Sequence, residues 1–356
     1  MKEIGGFFPY EKAMPTENHY AQRVCPDAGD VRHLMSGRCA IYLCLKDSML
    51  TDTRRVAYLP AYTCETVSGC FVKAGYQIYY YDVDEHMVPL FDENLISKIS
   101  FLLICGYYGF TTFDTGFVKR CRKNGVTVMQ DTTHTAFSME ATCPDTDYVA
   151  VSLRKWMGVT SGGLAFKRSG TFHVTLLPPD EKHLAIRDHA LQARRGYEAG
   201  GDTALQKEGY DAFWEAECML REIFDIQEGD AQSLNAICHY PLDEAIQKRR
   251  ENYAYLLEHL PENPAIRPVF PVLSGDACPM FFPFLCDDRQ PLMDFLTAND
   301  IAPKVYWPVP PFIEIADFPH AQYVYAHIMS ISCDQRYTLE DMQRVVDTFA
   351  AFGSHM

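Results

Sequence analysis

The chain has 356 residues, 47% hydrophobic and 22% charged, with 21 glycines and 21 prolines, a globular composition long enough for one large α/β domain or two unequal ones. A formal net charge of −15, from 47 acidic against 32 basic residues, argues against a general binder of nucleic-acid backbones, because the field of the whole protein repels phosphate. No apolar run reaches the roughly 18–20 residues of a membrane helix and the N-terminal MKEIGGFFPYEKAMPTENHY has no apolar signal core, so a cytoplasmic protein is expected. Thirteen cysteines, odd in number and without a CxxC pair, read as small buried hydrophobes, and no metal site is expected.

Residues 1–30 form an N-terminal arm, after which apolar strands alternate with amphipathic segments. In SGRCAIYLCLKDSML, Ala40, Leu43 and Cys44 recur at helical spacing, which predicts a helix starting near Gly37. RVAYLP, YQIYYYDVD, ISFLLICGYYG and VTVMQD are short β-branched and aromatic runs ending in turn formers, the βαβ rhythm of a mostly parallel sheet. DYVAVSL and GGLAFKR are two closer strands. The stretch SLRKWMGVTSGG joins them, so Lys155 sits on a loop whose paired glycines are expected to let the backbone turn tightly. Residues 180–235 are polar and helical, and YPLDEAIQKRRENYAYLLEHL is a long helix stopped by PENP. Beyond residue 265, FFPFLC and APKVYWPV read as strands, and TLEDMQRVVDTFAAF as a final helix with Thr338 as N-cap and Asp341 three residues on. These elements divide the chain into a large domain over residues 31–238 and a small C-terminal α/β domain over 239–352. The closing GSHM, residues 353–356, reads as the remnant of an expression tag.

In an open parallel sheet, ligands bind beyond the carboxyl ends of the strands. That edge collects the SGRCA helix start, whose free N–H groups suit a phosphate, Asp131 with His134 three residues on, and Lys155. Singly, each has an ordinary reading: a common helix start, a capping carboxylate, a solvated lysine. Together they are the parts that hold pyridoxal phosphate: an amine for its aldehyde, a carboxylate that keeps its ring nitrogen protonated, and N–H donors for its phosphate.

On these motifs residues 30–350 resemble the DegT/DnrJ/EryC1/StrS family of fold-type-I pyridoxal-phosphate aminotransferases. SGRCAIYLCL is similar to the family's phosphate-binding helix start, and YLPAYTCETVSGCFVKAGYQIYYYDVD to its Pro-x-x-Thr segment and following strand. VMQDTTHTAFS is similar to its Glu-Asp-Ala-Ala-His stretch, and SLRKWMGVTSGGLAF to its lysine and Gly-Gly strand. The resemblance implies an aspartate-aminotransferase-like large domain with a mostly parallel sheet and a small C-terminal α/β domain. It assigns Lys155 to the Schiff base with the cofactor, Asp131 to the ring nitrogen and His134 to the phenolic-oxygen side. Gly37, Arg38 and Cys39, largely through their backbone, and the Ser152 hydroxyl are assigned to the phosphate.

Where many members stack a large aromatic on the cofactor, this chain has Cys64, leaving Tyr62 or Tyr108 to substitute. Ser152 lies three residues before the lysine, where many sugar aminotransferases place it five before, so the loop must be shaped differently.

The implied activity is ping-pong transamination from an amino-acid donor, with glutamate expected, to a keto substrate, with a nucleotide-linked keto sugar expected. Lys155 moves the proton, its amine pKa lowered by burial and cofactor charge. Arg194 and Arg195, on an expected exposed segment, are candidates for a diphosphate, and Tyr306 and Trp307 for a sugar-facing wall. A homodimer with shared active sites is implied too, with the GGFFPY arm and residues 180–210 near the partner.

Two alternatives stay open. One is a lyase or desulfurase of the same fold acting on an amino acid, against which no nucleophilic cysteine or carboxylate-binding arginine is identifiable. The other is a catalytically silent binding protein, against which Asp131 and Lys155 count.

Overall fold

The computed structural model describes residues 3–11 and 13–353. Its larger sheet is built from β1 (Asp30–Leu34), β2 (Val56–Pro60), β3 (Gln77–Val83), β4 (Pro89–Leu90), β5 (Phe101–Cys105), β6 (Thr127–Asp131), β7 (Tyr148–Ser152) and β8 (Gly163–Lys167), in the order β1-β8-β7-β6-β5-β2-β3-β4. The central run β3-β2-β5-β6-β7 is parallel. β8 is antiparallel to both β7 and β1, and β4 closes the far edge antiparallel to β3. Chain order doubles back between β2 and β5, the switch at which open sheets leave a crevice beyond their carboxyl ends.

Strand alternation fills two cores, one on each face. On β5, Leu102 and Ile104 enter one core while Phe101 and Leu103 enter the other. β7 divides in the same way, with Val149 and Val151 on one face and Tyr148 and Ala150 on the other. A strand buried on both faces cannot alternate polar with apolar residues, hence the continuous apolar runs in the sequence.

The helices are α1 (Tyr20–Val24), α2 (Gly37–Ser48), α3 (Glu65–Lys73), α4 (Thr115–Lys123), α5 (Glu181–Gly200), α6 (Thr203–Ile223), α7 (Ala231–Cys238), α8 (Leu242–His259), α9 (Arg289–Ala298), α10 (Pro319–His327) and α11 (Leu339–Gly353). α2 and α3 supply one of the two cores with Cys39, Leu43, Cys70 and Phe71. α5 and α6 form an antiparallel hairpin turned at Gly201, whose left-handed φ of 71° ends α5, with the Asp202 carboxylate then accepting from Ala204 N to start α6. The expected boundary at 238/239 falls between α7 and α8. α11 is capped as expected: Thr338 Oγ1 accepts from Asp341 N at 3.3 Å, and the Asp341 carboxylate accepts from Thr338 N at 2.9 Å. The expected tag remnant starts at Gly353, the last residue of α11, and its residues 354–356 lie outside the described residues.

A second sheet, β9 (Ile266–Pro268), β10 (Phe282–Cys286) and β11 (Ile328–Ile331), is antiparallel in the order β11-β10-β9. The expected strand APKVYWPV does not form. Only Lys304 bridges to Ser330, because Pro303, Pro308, Pro310 and Pro311 bracket the segment and remove ladder donors. β1, β4 and β9 are short strands that the sequence pattern did not reveal.

The N-terminal arm packs on its own chain. Ile4 N donates to Asp300 O at 2.9 Å, Ala302 N donates to Ile4 O at 2.8 Å, and Phe7 stacks on Phe213 of α6 with centroids 4.6 Å apart.

Candidate active site

Strand register brings the candidate residues to one edge. Asp131 ends β6 opposite Cys105 of β5 and Ala150 of β7, and Ser152 ends β7 opposite Gly163 of β8. Directly after Ser152 a single 3-10 turn, Leu153–Lys155, aims the lysine across the edge. The turn is held by Leu153 N donating to Gly162 O at 2.7 Å and by Trp156, whose indole Nε1 donates to Thr133 O at 2.7 Å inside the core. The tryptophan is therefore the anchor that fixes the lysine.

The paired glycines have a different reason from the expected one, since neither has a left-handed φ. A Cβ on Gly163 would lie 2.1 Å from Ser36 O, so the glycine lets the start of α2 press against β8. Gly37 is equally confined, 2.7 Å from the Ser152 Cβ by the same measure.

Lys155, Asp131, His134, Gly37, Arg38, Ser152, Cys64, Tyr306 and Trp307 all line one cavity of about 310 Å³. Lys155 Nζ donates to Tyr306 Oη at 3.3 Å. Burial works against its charge, but Tyr306, Cys64 and Glu217 outweigh that, so in the protein alone its pKa is raised; the expected lowering concerns the amine beside the cofactor's charge. Burial raises the Asp131 carboxyl above its ordinary value, against its bond from Thr133 N at 2.9 Å and the charge of Lys155. His134 is held well below the usual imidazole range by burial, then by Lys155 and Lys304, and is therefore neutral. Its Nδ1 accepts from Tyr108 N at 3.5 Å, its Nε2 has no partner among the described residues, and its ring stacks on Trp307 at 4.8 Å.

Four expectations need correction. Tyr62 and Tyr108 do not line the cavity; their hydroxyls bond each other at 3.0 Å behind its wall, and His134, Tyr306 and Trp307 supply aromatic surface instead. Cys39 points away as well. Its thiol is buried near Gln227, and its N–H is already taken by the N-cap oxygen of Ser36 at 3.4 Å, so the helix start presents Ser36, Gly37 and Arg38. Arg194 is not exposed. Only 1% of its side chain is accessible, and it binds Glu3 at 2.6 Å, Gly5 O at 3.1 Å and Glu198 at 2.9 Å, which ties down the N-terminal arm. Arg195 is exposed and lies outside the cavity lining, while Tyr306 and Trp307 sit on a loop rather than after a strand.

Sequence reasoning missed Arg154, Arg187, Glu217 and Lys304, which also line the cavity. Arg154 was legible, being next to Lys155. Arg187 and Glu217 carry no local signal, because they arrive on the two arms of the α5–α6 hairpin. Lys304 is pulled down to about 8 by burial and by Lys155 and Arg336, against Glu217 and Asp334.

A raised carboxyl, an unpartnered imidazole nitrogen, a lysine and a capped helix start around one cavity are a donor set that fits pyridoxal phosphate. The sheet, with its small antiparallel companion, is the fold type I of pyridoxal-phosphate-dependent transferases. Residues 240–350 match the profile of the DegT/DnrJ/EryC1/StrS aminotransferase family.

The chain is similar to the dTDP-3-amino-3,6-dideoxy-alpha-D-galactopyranose transaminase of Aneurinibacillus thermoaerophilus, at 26% identity over 121 residues; the match spans only 32% of that protein and 32% of this one. Over its whole length the fold is similar to an aminotransferase of Helicobacter pylori involved in the biosynthesis of pseudoaminic acid, with TM-score 0.68, 12% identity and 100% of both chains covered. It is also similar to a sugar aminotransferase of Micromonospora echinospora, with TM-score 0.64, 16% identity, and 96% of this chain and 93% of that one covered. No helix among the described residues is long and apolar enough to cross a membrane.

Proposed function

We propose that this chain is a pyridoxal-phosphate-dependent aminotransferase that moves an amino group from an amino-acid donor, glutamate in the first instance, to a nucleotide-linked keto sugar. The observation that carries this reading is the convergence of Lys155 and Asp131 on one cavity beside the α2 N-terminus. The family profile matched by residues 240–350 and the likeness to a sugar transaminase support the substrate class. Pyridoxal phosphate bound there supplies an electron sink for the amino-group carbon.

Lys155 Nζ would hold the cofactor aldehyde and serve as the group that moves the proton, with Tyr306 Oη within reach to orient it. The Asp131 carboxylate, whose charge burial disfavours, gains from a cation and so holds a proton on the ring nitrogen. Neutral His134 offers a hydrogen-bonding nitrogen to the phenolic-oxygen side. Ser36, Gly37, Arg38 and Ser152 receive the phosphate, and Tyr306 and Trp307 shape the sugar side. Residues 31–238 act as the cofactor-binding domain and 239–352 as the small domain, in a cytoplasmic homodimer.

Visible absorption of the purified protein tests the reading. Pyridoxal phosphate is expected to give a yellow band that glutamate bleaches, and Lys155→Ala is expected to give none. A wild-type protein that forms no band sinks the cofactor assignment.

A further inference from the structure

The roles above leave a group of buried charges in the same cavity largely unused. Arg38 on α2, Arg154 in the turn after β7 and Arg187 on α5 converge on the carboxylate of Glu217 on α6. Arg187 Nη1 donates to Glu217 Oε1 at 2.9 Å, Arg154 Nη2 donates to the same oxygen, and Arg38 Nη2 lies 3.7 Å from Oε2. Only 7% of the Arg154 side chain and 3% of the Arg187 side chain are exposed. Burial works to raise Glu217, yet Arg154, Arg187, Arg38 and Lys155 bring it down to about 2, so it is ionised. Three guanidinium groups against one carboxylate leave a surplus of two positive charges.

Hydrogen bonding is incomplete as well. Arg38 Nη1, Arg154 Nε and Nη1, and Arg187 Nε have no hydrogen-bond partner among the described residues. His183, also on α5, offers no compensation, since burial and the charges of Arg154 and Arg187 bring it down to about 3 and leave it neutral. Buried charge without a counter-ion costs several kcal/mol per ion, on the order of the net stability of a domain. A fold that holds this arrangement from four separate elements has a use for it.

We propose that Arg38, Arg154 and Arg187 form an oxyanion subsite in the Lys155 cavity, which takes the phosphate or carboxylate group of a ligand, with Glu217 setting its net charge. The placement of that ligand beside Lys155 rests on the function proposed above, whereas anion binding itself does not. Planar guanidinium forks match both oxyanions bidentately. Glu217 holds the arginines together while the subsite is empty. With Glu217 counted, a dianion balances the surplus and a monoanion leaves one charge, so phosphate is preferred over a single carboxylate.

The subsite also supplies the carboxylate-binding arginines that the sequence alone did not reveal. The ligand group is the phosphate ester of the cofactor or a carboxylate of the amino donor, and the test separates these sources.

Purified full-length protein is titrated calorimetrically with inorganic phosphate and separately with glutarate, as wild type, Arg187→Met and Glu217→Gln, with circular dichroism as the check on folding. Wild type is expected to bind phosphate more tightly than glutarate, and loss of a charged contact in Arg187→Met to weaken phosphate binding about tenfold or more. Glu217→Gln, nearly isosteric, is expected to tighten it by about tenfold through removal of the internal anion. If phosphate suppresses formation of the visible band on adding pyridoxal phosphate, the cofactor's ester occupies the subsite. If phosphate or glutarate still binds to the protein once the band has formed, the amino donor does.

Failure of both probes to bind wild type, or equal binding to all three proteins, overturns the proposal. A missing visible band with intact phosphate binding counts only against the function proposed above.

Discussion

Lys155 is useful because of what its neighbours do to its proton. Tyr306, Cys64 and Glu217 hold it as an ammonium in the protein alone, while burial beside Lys304 and three arginines gives anions a strong incentive to enter. Asp131 is a strand-end carboxylate lining the same cavity, and Asp131→Asn is expected to lower kcat about 100-fold or more, with the protein still folded by circular dichroism. A second carboxyl, Glu11 in the N-terminal arm, is raised from 4.5 to about 7 by burial, against the opposing charge of Arg336. The folded state therefore holds a proton that the unfolded state has already lost, so this group subtracts stability as pH rises from 4.5 through 7 and adds no further pH dependence above that. Glu11→Gln is expected to gain stability over wild type across that window, read from urea midpoints. A difference independent of pH defeats the assignment.

At the scale of elements, the site depends on the contact between the start of α2 and β8. Gly163→Ala places a methyl against the Ser36 carbonyl, where backbone rather than a flexible side chain must move, and is expected to cost about 3 kcal/mol of unfolding free energy. Because the same shift moves Gly37 and Arg38, its affinity for inorganic phosphate should fall with the stability. The α2 helix, β6 and β7 were all legible in the sequence, since each has a long apolar run or a periodic face and a clear end signal. β1, β4 and β9 were not, being two to five residues long with exposed or mixed faces. APKVYWPV misled for the opposite reason: its apolar residues are real, but four prolines deny it a ladder. It serves the site as a loop, presenting Lys304, Tyr306 and Trp307 from beside β11.

Across the whole molecule, the arm and the α5–α6 hairpin wall the cavity from outside the sheet. Arg194 joins them through Glu3, Gly5 and Glu198, with its guanidinium 5.7 Å from the Phe7 ring. Arg194→Met is expected to free the arm. Limited proteolysis should then cut within the first ten residues at least tenfold faster, with destabilisation of about 3 kcal/mol for a broken buried ion pair. Equal cleavage rates would show that the arm is held by Phe7 and the Ile4 bridge alone. Sedimentation at twice the 40.6 kDa chain mass is expected for the homodimer, and a species of one chain mass at micromolar concentration excludes it.

The sequence by itself determined the parallel sheet, the order of its strands along the chain, and the edge on which Asp131, His134, Lys155 and the α2 start assemble. These follow from periodicity and turn chemistry within short windows. The packing of α5 against α6 brings Arg187 and Glu217 to Arg154, Gln227 takes the Cys39 thiol, and Glu3 and Gly5 make the buried Arg194 a tether. Only the tertiary structure decided these, because each depends on contacts between residues far apart in the chain, which no local pattern encodes.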